Sequence, residues 1–224
     1  MSRQKALTPR RWWKLAGWGC LGTVVVAVVS FGGFVVWVKH DIQTTRASIR
    51  QLARTGSCVG CDLSYANLSG LDLQFVDLSG ANLRRADLRG TVLGAATLVG
   101  TDFTRADLSG AVLRQASLDD AIFDRANLTG ADFHCGAGTC TTLQGASFRQ
   151  ANLTRANLVC LDCFPDGERV GLAEVDLRGA NLTEADLQYS RLDGAKIEGA
   201  VFCRTTLADG KVAEPDCKAP TSTQ

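Results

Sequence analysis

The sequence predicts an all-β solenoid set behind one transmembrane helix and a short capping helix. Three observations carry that prediction. An uncharged apolar run lies near the start, a five-residue repeat fills most of the remainder, and eight cysteines fall where the repeat begins, breaks or ends. The chain has 224 residues, 46% hydrophobic and 21% charged, which is enough apolar material for one folded domain. Its net charge of +1 averages two unlike parts: the first 39 residues hold six Lys or Arg and no acid, whereas residues 41–224 hold 18 bases against 23 acids. That distribution argues against a nucleic-acid binder with a broad basic face.

The first element is a basic tail, residues 1–14, with Arg3, Lys5, Arg10, Arg11 and Lys14. From Leu15 to Val38 there follow 24 residues without a charge, about 36 Å of helix and long enough to cross a hydrocarbon core of about 30 Å. Trp12, Trp13, Trp18 and Trp37 lie near its two ends, where indole rings suit a membrane interface. The charge bias places the N-terminus in the cytoplasm and the lipid bilayer becomes an expected partner of Leu15 to Val38. A cleaved signal peptide is the alternative, but no small-x-small site precedes Lys39, His40 and Asp41. Arg10-Arg11 loosely resembles a twin-arginine export signal, although a basic flank before any anchor gives the same letters.

Residues 39–60 form a linker and capping helix. Ile42, Ile49 and Leu52 fall on one side of a short amphipathic helix with Asp41 near its start and Gly56 as its stop.

From residue 61 to 209 a large apolar residue recurs every five positions. It runs from Leu63 through Leu68, Leu73 and Leu78 to Phe133 without a miss, resumes at Leu143, Phe148, Leu153 and Leu158, and resumes again at Leu172 to end at Leu207. Breaks fall near 134–142 and 159–170, and 210–224 is a C-terminal tail. A period of five fits neither a helix nor a simple strand, so the chain must turn once per repeat, with the large residue and a small one two before it both inward. Gly70, Gly80, Gly90, Gly100 and Gly110 fall two after the large residue, where a tight turn needs φ above zero. The Asp residues just before it, such as Asp62, Asp77, Asp102 and Asp132, read as solubilising groups on separate faces.

The motif Ala66-Asn67-Leu68, repeated as Ala81-Asn82-Leu83, Ala86-Asp87-Leu88 and Ala106-Asp107-Leu108, closely resembles the pentapeptide repeat family. The resemblance implies a right-handed quadrilateral β-helix of about 20 residues per coil, hence nearly seven coils and a rod about 32 Å long. At that period Tyr65, Arg85, Arg105 and Arg125 stack on one corner, with Asp87, Asp107 and Asn127 two residues along to offset the repulsion. Anchored, cysteine-bearing repeat proteins of this kind resemble cyanobacterial ones, so the expected localisation is a single-pass membrane protein with the β-helix in the periplasm or thylakoid lumen.

Cys20 falls in the apolar run; the other eight cysteines form Cys58 with Cys61, Cys135 with Cys140, Cys160 with Cys163, and Cys203 with Cys217. An even count at mostly close spacing points to disulfides, sequential or crossed. The competing use is a metal site at Cys135, Cys140, Cys160 and Cys163.

No catalytic constellation, Walker loop or dinucleotide fingerprint is visible, and His40 and His134 stand apart. The expectation is a non-enzymatic, membrane-anchored scaffold or protein-interaction module outside the cytoplasm, without cofactor or nucleic acid, binding an unknown membrane or extracytoplasmic protein. Its expected interaction surface is Arg85, Arg105 and Arg125 together with the loop residues Asp166 and Arg169. Two alternatives stand beside it: a DNA-mimic protein that binds a topoisomerase, and a Cys-cluster metal or redox protein.

Overall fold

A computed structural model describes residues 42–134, 140–159, 172, 174–190, 192 and 194–213. It opens with α1, Ile42–Thr55. Leu52 is buried and Ile49 packs against the same core, as their spacing on one helix face requires. Arg54 lies in the last turn, where the helix dipole favours a cation. Gly56 ends the helix in the left-handed region, φ 67°, and its N–H donates to the Leu52 carbonyl at 2.9 Å. The chain then enters the first coil through Cys58, which takes the inward position that Leu holds elsewhere and is disulfide-bonded to Cys61. The Cys58 sulfur lies 3.3 Å from the Ser48 carbonyl oxygen, so α1 rests directly on this coil.

Each repeat contributes one bridge residue, and the bridges are parallel and 20 apart through the first four coils: Asp62 to Asn82, Asn67 to Asp87, Asp72 to Val92, Asp77 to Thr97. Four repeats therefore make a coil of four faces. The first face carries Leu78, Leu98, Leu118 and Leu143 inward; the second Leu83, Phe103, Phe123 and Phe148; the third Leu88, Leu108, Leu128 and Leu153; the fourth Leu93, Leu113, Phe133 and Leu158. At the first break the register changes to 25, Ser117 to Thr142, and at the second to 29, Ser147 to Asp176, after which it returns to 20. The columns of the second, third and fourth faces continue across both breaks.

The inward side chains fill the lumen. Phe103, Phe123 and Phe148 stack with centroids 4.8 and 4.7 Å apart, and Phe133 meets Phe123 and Phe148 edge-on. The small inward column is mostly Ala, but Thr91, Thr101, Thr141 and Thr205 enter it without loss because each hydroxyl donates to a carbonyl of the coil before, such as Thr101 Oγ1 to Leu78 at 2.8 Å.

Among the described residues the non-glycine corners are left-handed as well as the glycine ones. The glycines at 70, 80, 90, 100 and 110 have φ of 61–65°, and Tyr65, Phe75, Arg85, Ala95, Arg105 and Gln115 adopt 53–61° at the same place in their repeats. Each of these side chains costs about 1 kcal/mol relative to glycine. The Asp and Asn residues before the central position prove structural as well as solubilising. Their side-chain oxygens accept the backbone N–H two residues on, as Asp62 does from Ser64, Asp77 from Ser79 and Asp107 from Ser109, each at 3.0 Å.

The last coil is closed by a reversal. Val212 forms an antiparallel bridge to Thr206, and the Ala213 N–H donates to the Thr205 carbonyl at 2.8 Å.

The expected transmembrane helix requires correction. α1 has 14 residues, about 21 Å, and carries Arg46, Arg50 and Arg54, so it is too short and too polar for a hydrocarbon core. Among the described residues no helix is long and apolar enough to cross a membrane, and the run from Leu15 to Val38 lies outside them. The expectations that depend on that run are corrected with it: the membrane-anchored family member, the bilayer as partner, the single-pass localisation and the anchored extracytoplasmic scaffold.

The stacked ring column makes a direct expectation. Phe123→Ala should lower stability by about 3–5 kcal/mol, measured as a shift in denaturant midpoint, because the cavity lies between two rings and the coil spacing prevents its collapse.

Candidate functional site

Among the described residues the candidate functional surface of the rod is the pattern of charge on its faces and corners. Among the described residues ten arginines sit on the coils, and seven of them are tied to carboxylates. Three of them, Arg84 to Asp102 at 2.9 Å, Arg114 to Asp132 at 2.5 Å and Arg149 to Asp176 at 2.7 Å, repeat one geometry, in which the residue after the central position reaches the residue before it on the next coil. Arg89 and Arg178 instead fold back on Asp87 and Asp176 of their own repeats, both at 2.6 Å. At the third-to-fourth corner, glycines give way to Arg155, Glu184 and Arg204, and Glu184 bonds both arginines.

Asp176 is the most constrained of these carboxylates. It is 6% exposed and sits in the first fully described repeat after the second break, where its neighbour Arg149 belongs to the coil before the break. The Arg178 fork holds its carboxyl well below the usual range; burial pulls the other way, and Arg149 adds to the depression. Arg89 does the same for Asp87 on the surface.

The three remaining arginines are Arg85, Arg105 and Arg125, all exposed and stacked on the second-to-third corner with φ of 57–60°. Their partners are neutral. Arg85 donates to the Tyr65 hydroxyl at 2.7 Å with its guanidinium carbon 5.5 Å above that ring, and Arg125 donates to Gln150 Oε1 at 2.9 Å. Arg105 has no side-chain partner among the described residues. The acids expected to offset them are engaged elsewhere: Asp87 with Arg89, and Asp107 with Ser109 and the Asn127 amide. At the coil spacing of about 4.8 Å, neighbouring unit charges repel by about 0.9 kcal/mol even in water.

The first face and the corner after it are the reverse. Outward positions there are Ser, Thr, Val, Gly, Gln or acid, and no Arg or Lys occupies one among the described residues. Asp77, Asp119, Asp120 and Glu174 lie on this strip, with Asp62 at its edge, and none of the five is in an ion pair among the described residues. The strip is not evident from the sequence, since Asp77 and Asp119 are 42 residues apart, at different positions of repeats two coils apart, and Glu174 joins them only through the 25- and 29-residue registers.

Of the other expected site residues, Cys58 and Cys61 are joined, and Cys203 is also disulfide-bonded. Cys140 is half-buried at the start of the fifth coil. Cys135, Cys160, Cys163, Cys217, Asp166 and Arg169 lie outside the described residues, so the crossed-disulfide and metal-cluster expectations fall there.

The model of the pentapeptide repeats family matches eight copies over residues 57–94, 96–134, 141–162 and 170–208. No curated protein matches the chain. Among solved structures, a pentapeptide repeat protein of the Arabidopsis thaliana thylakoid lumen is 29% identical, with 55% of this chain and 74% of that one covered and a TM-score of 0.38. HetL of Nostoc sp. strain PCC 7120, involved in heterocyst differentiation regulation, is 27% identical over 70% of this chain and 87% of its own, with a TM-score of 0.31. QnrB1, a plasmid-mediated fluoroquinolone resistance protein, is 18% identical over 71% and 87%, with a TM-score of 0.38.

The depressed Asp176 carboxyl fixes the sign of a pH effect. Its stabilisation is complete above the unfolded value near about 4 and is lost as pH falls further towards the folded one. Asp176→Asn should cost about 1.5–3 kcal/mol at pH 7 and flatten the loss of stability below about pH 4, read by urea denaturation across pH.

Proposed function

The chain belongs to the pentapeptide repeat family, and from that premise we propose that it is a regulatory binding protein whose acidic side occupies the phosphate-binding surface of a nucleic-acid-binding protein. It is non-enzymatic. The observation that carries the proposal is the strip of Asp62, Asp77, Asp119, Asp120 and Glu174, where carboxylates recur on a rigid surface free of Arg and Lys among the described residues. A surface that binds a nucleic-acid backbone is a row of cations, and a preorganised row of anions loses little entropy in meeting it.

Magnitude sets the character of this contact. Residues 61–209 carry 20 acids and 13 bases, a net of −7, whereas about 32 Å of duplex DNA carries about 19 charges. The rod is thus a dilute imitation, confined to one side. Such a contact should be moderate in affinity and weakened several-fold by salt. Regulation by a competitor of this strength needs no turnover, only occupancy.

A type II topoisomerase holding labelled duplex DNA provides the test. Titrating the full chain should release DNA, read by fluorescence anisotropy, and direct binding of the full chain to the DNA-free enzyme should weaken several-fold between 50 and 200 mM salt. A variant carrying Asp62→Asn, Asp77→Asn, Asp119→Asn, Asp120→Asn and Glu174→Gln keeps an oxygen acceptor at each turn and should lose most of the effect. Equal release by both chains, or none by either, rules the proposal out.

A further inference from the structure

We propose that the corner formed by Arg85, Arg105 and Arg125 is a docking site for the acidic face of an α-helix on a partner protein. The inference rests on this ladder and is independent of the acidic strip. Its first support is selection within one chain: among the described residues seven of the ten coil arginines have a carboxylate within reach, and the three without one are consecutive members of a single column. Scattered surface arginines would not segregate in this way. The second is the nature of the brackets. The ladder ends on a phenol hydroxyl at Tyr65 and an amide oxygen at Gln150, which orient the outer guanidinium groups while leaving their charge uncompensated.

The third support is spacing. The backbones of the three arginines are held in register by coil-to-coil hydrogen bonds, Arg85 N–H to Thr104 O at 3.0 Å, Arg105 N–H to Asp124 O at 2.9 Å and Arg125 N–H to Arg149 O at 2.8 Å. The charges therefore rise in steps of about 4.8 Å, or 0, 4.8 and 9.6 Å along the rod. Carboxylates at positions i, i+3 and i+7 of a helix lie on one face and rise about 0, 4.5 and 10.5 Å. The two series agree to within about 1 Å, well inside the reach of an arginine side chain. An extended acidic strand, with same-side residues about 6.6–6.8 Å apart, falls out of step by the third charge. A long polyanion is disfavoured by the net −7 of residues 61–209, whereas a single helix touches only the corner.

The test uses two fluorescein-labelled helical peptides of identical composition. One carries Glu at i, i+3 and i+7, and the other carries the same three Glu at i, i+2 and i+5, on different sides of the helix. The full chain should bind the first at least ten-fold more tightly than the second by fluorescence polarisation at 50 mM salt. The variant R85Q/R105Q/R125Q should lose at least ten-fold for the first peptide only. Should the triple variant fail to unfold cooperatively, R105Q serves instead, since its guanidinium supports no other residue among those described; at least a three-fold loss is expected. Equal binding of the two peptides, no effect of the substitutions, or tighter ladder-dependent binding of heparin or duplex DNA would each overturn the proposal.

Discussion

Coil-to-coil hydrogen bonding is the interaction on which the remaining features depend. The Leu83 N–H donates to Asp102, Leu88 to Asp107 and Leu93 to Val112, all within 2.7–2.8 Å, and the pattern repeats up the rod. To keep these bonds aligned, the chain must turn through a left-handed residue once in every five, whatever side chain stands there. Inward size, outward turn acceptors and the stacking of corners then follow from the same geometry. Charge patterns that look scattered along the chain become columns, and columns are what a partner meets.

This explains both what could be read from the sequence and what could not. The period of five, the inward Leu and Phe, the resemblance to a known repeat family and the Arg85 column needed only counting in steps of 5 and 20. The role of Asp62 or Asp77 as a turn acceptor was not legible, because Asp before an apolar residue has the same composition whether it faces water or a backbone N–H. The acidic strip was partly hidden by the register: the 20-residue bridges Asp77 to Thr97 and Thr97 to Ser117 put Asp119 on the side of Asp77, but only the 25- and 29-residue bridges bring Glu174 to it. The left-handed corners were half legible, since glycine announces φ above zero and Arg or Gln does not.

The charged surface divides by whether arginine and carboxylate meet. On the second and fourth faces they do, and the pairs tie one coil to the next, most tightly at Asp176, where the ladder resumes after the second register change. On the first face and on the Arg85 corner they do not. Exposed pairs contribute little to stability, so segregating the unpaired charge costs the fold little and leaves two surfaces of opposite sign on one rigid body.

The reversal at Val212 has a consequence for how the rod exists in company. A β-helix is a sheet with two open ends, and each bare coil offers a complete row of donors and acceptors to any other coil of the same pitch. At one end α1 lies across the first coil; at the other, Val212 and Ala213 take up hydrogen bonds beside Thr205 and Thr206. These caps act as chain terminators. They stop end-to-end growth of rods into a fibre, and they leave the sides as the surface on which the protein can be recognised.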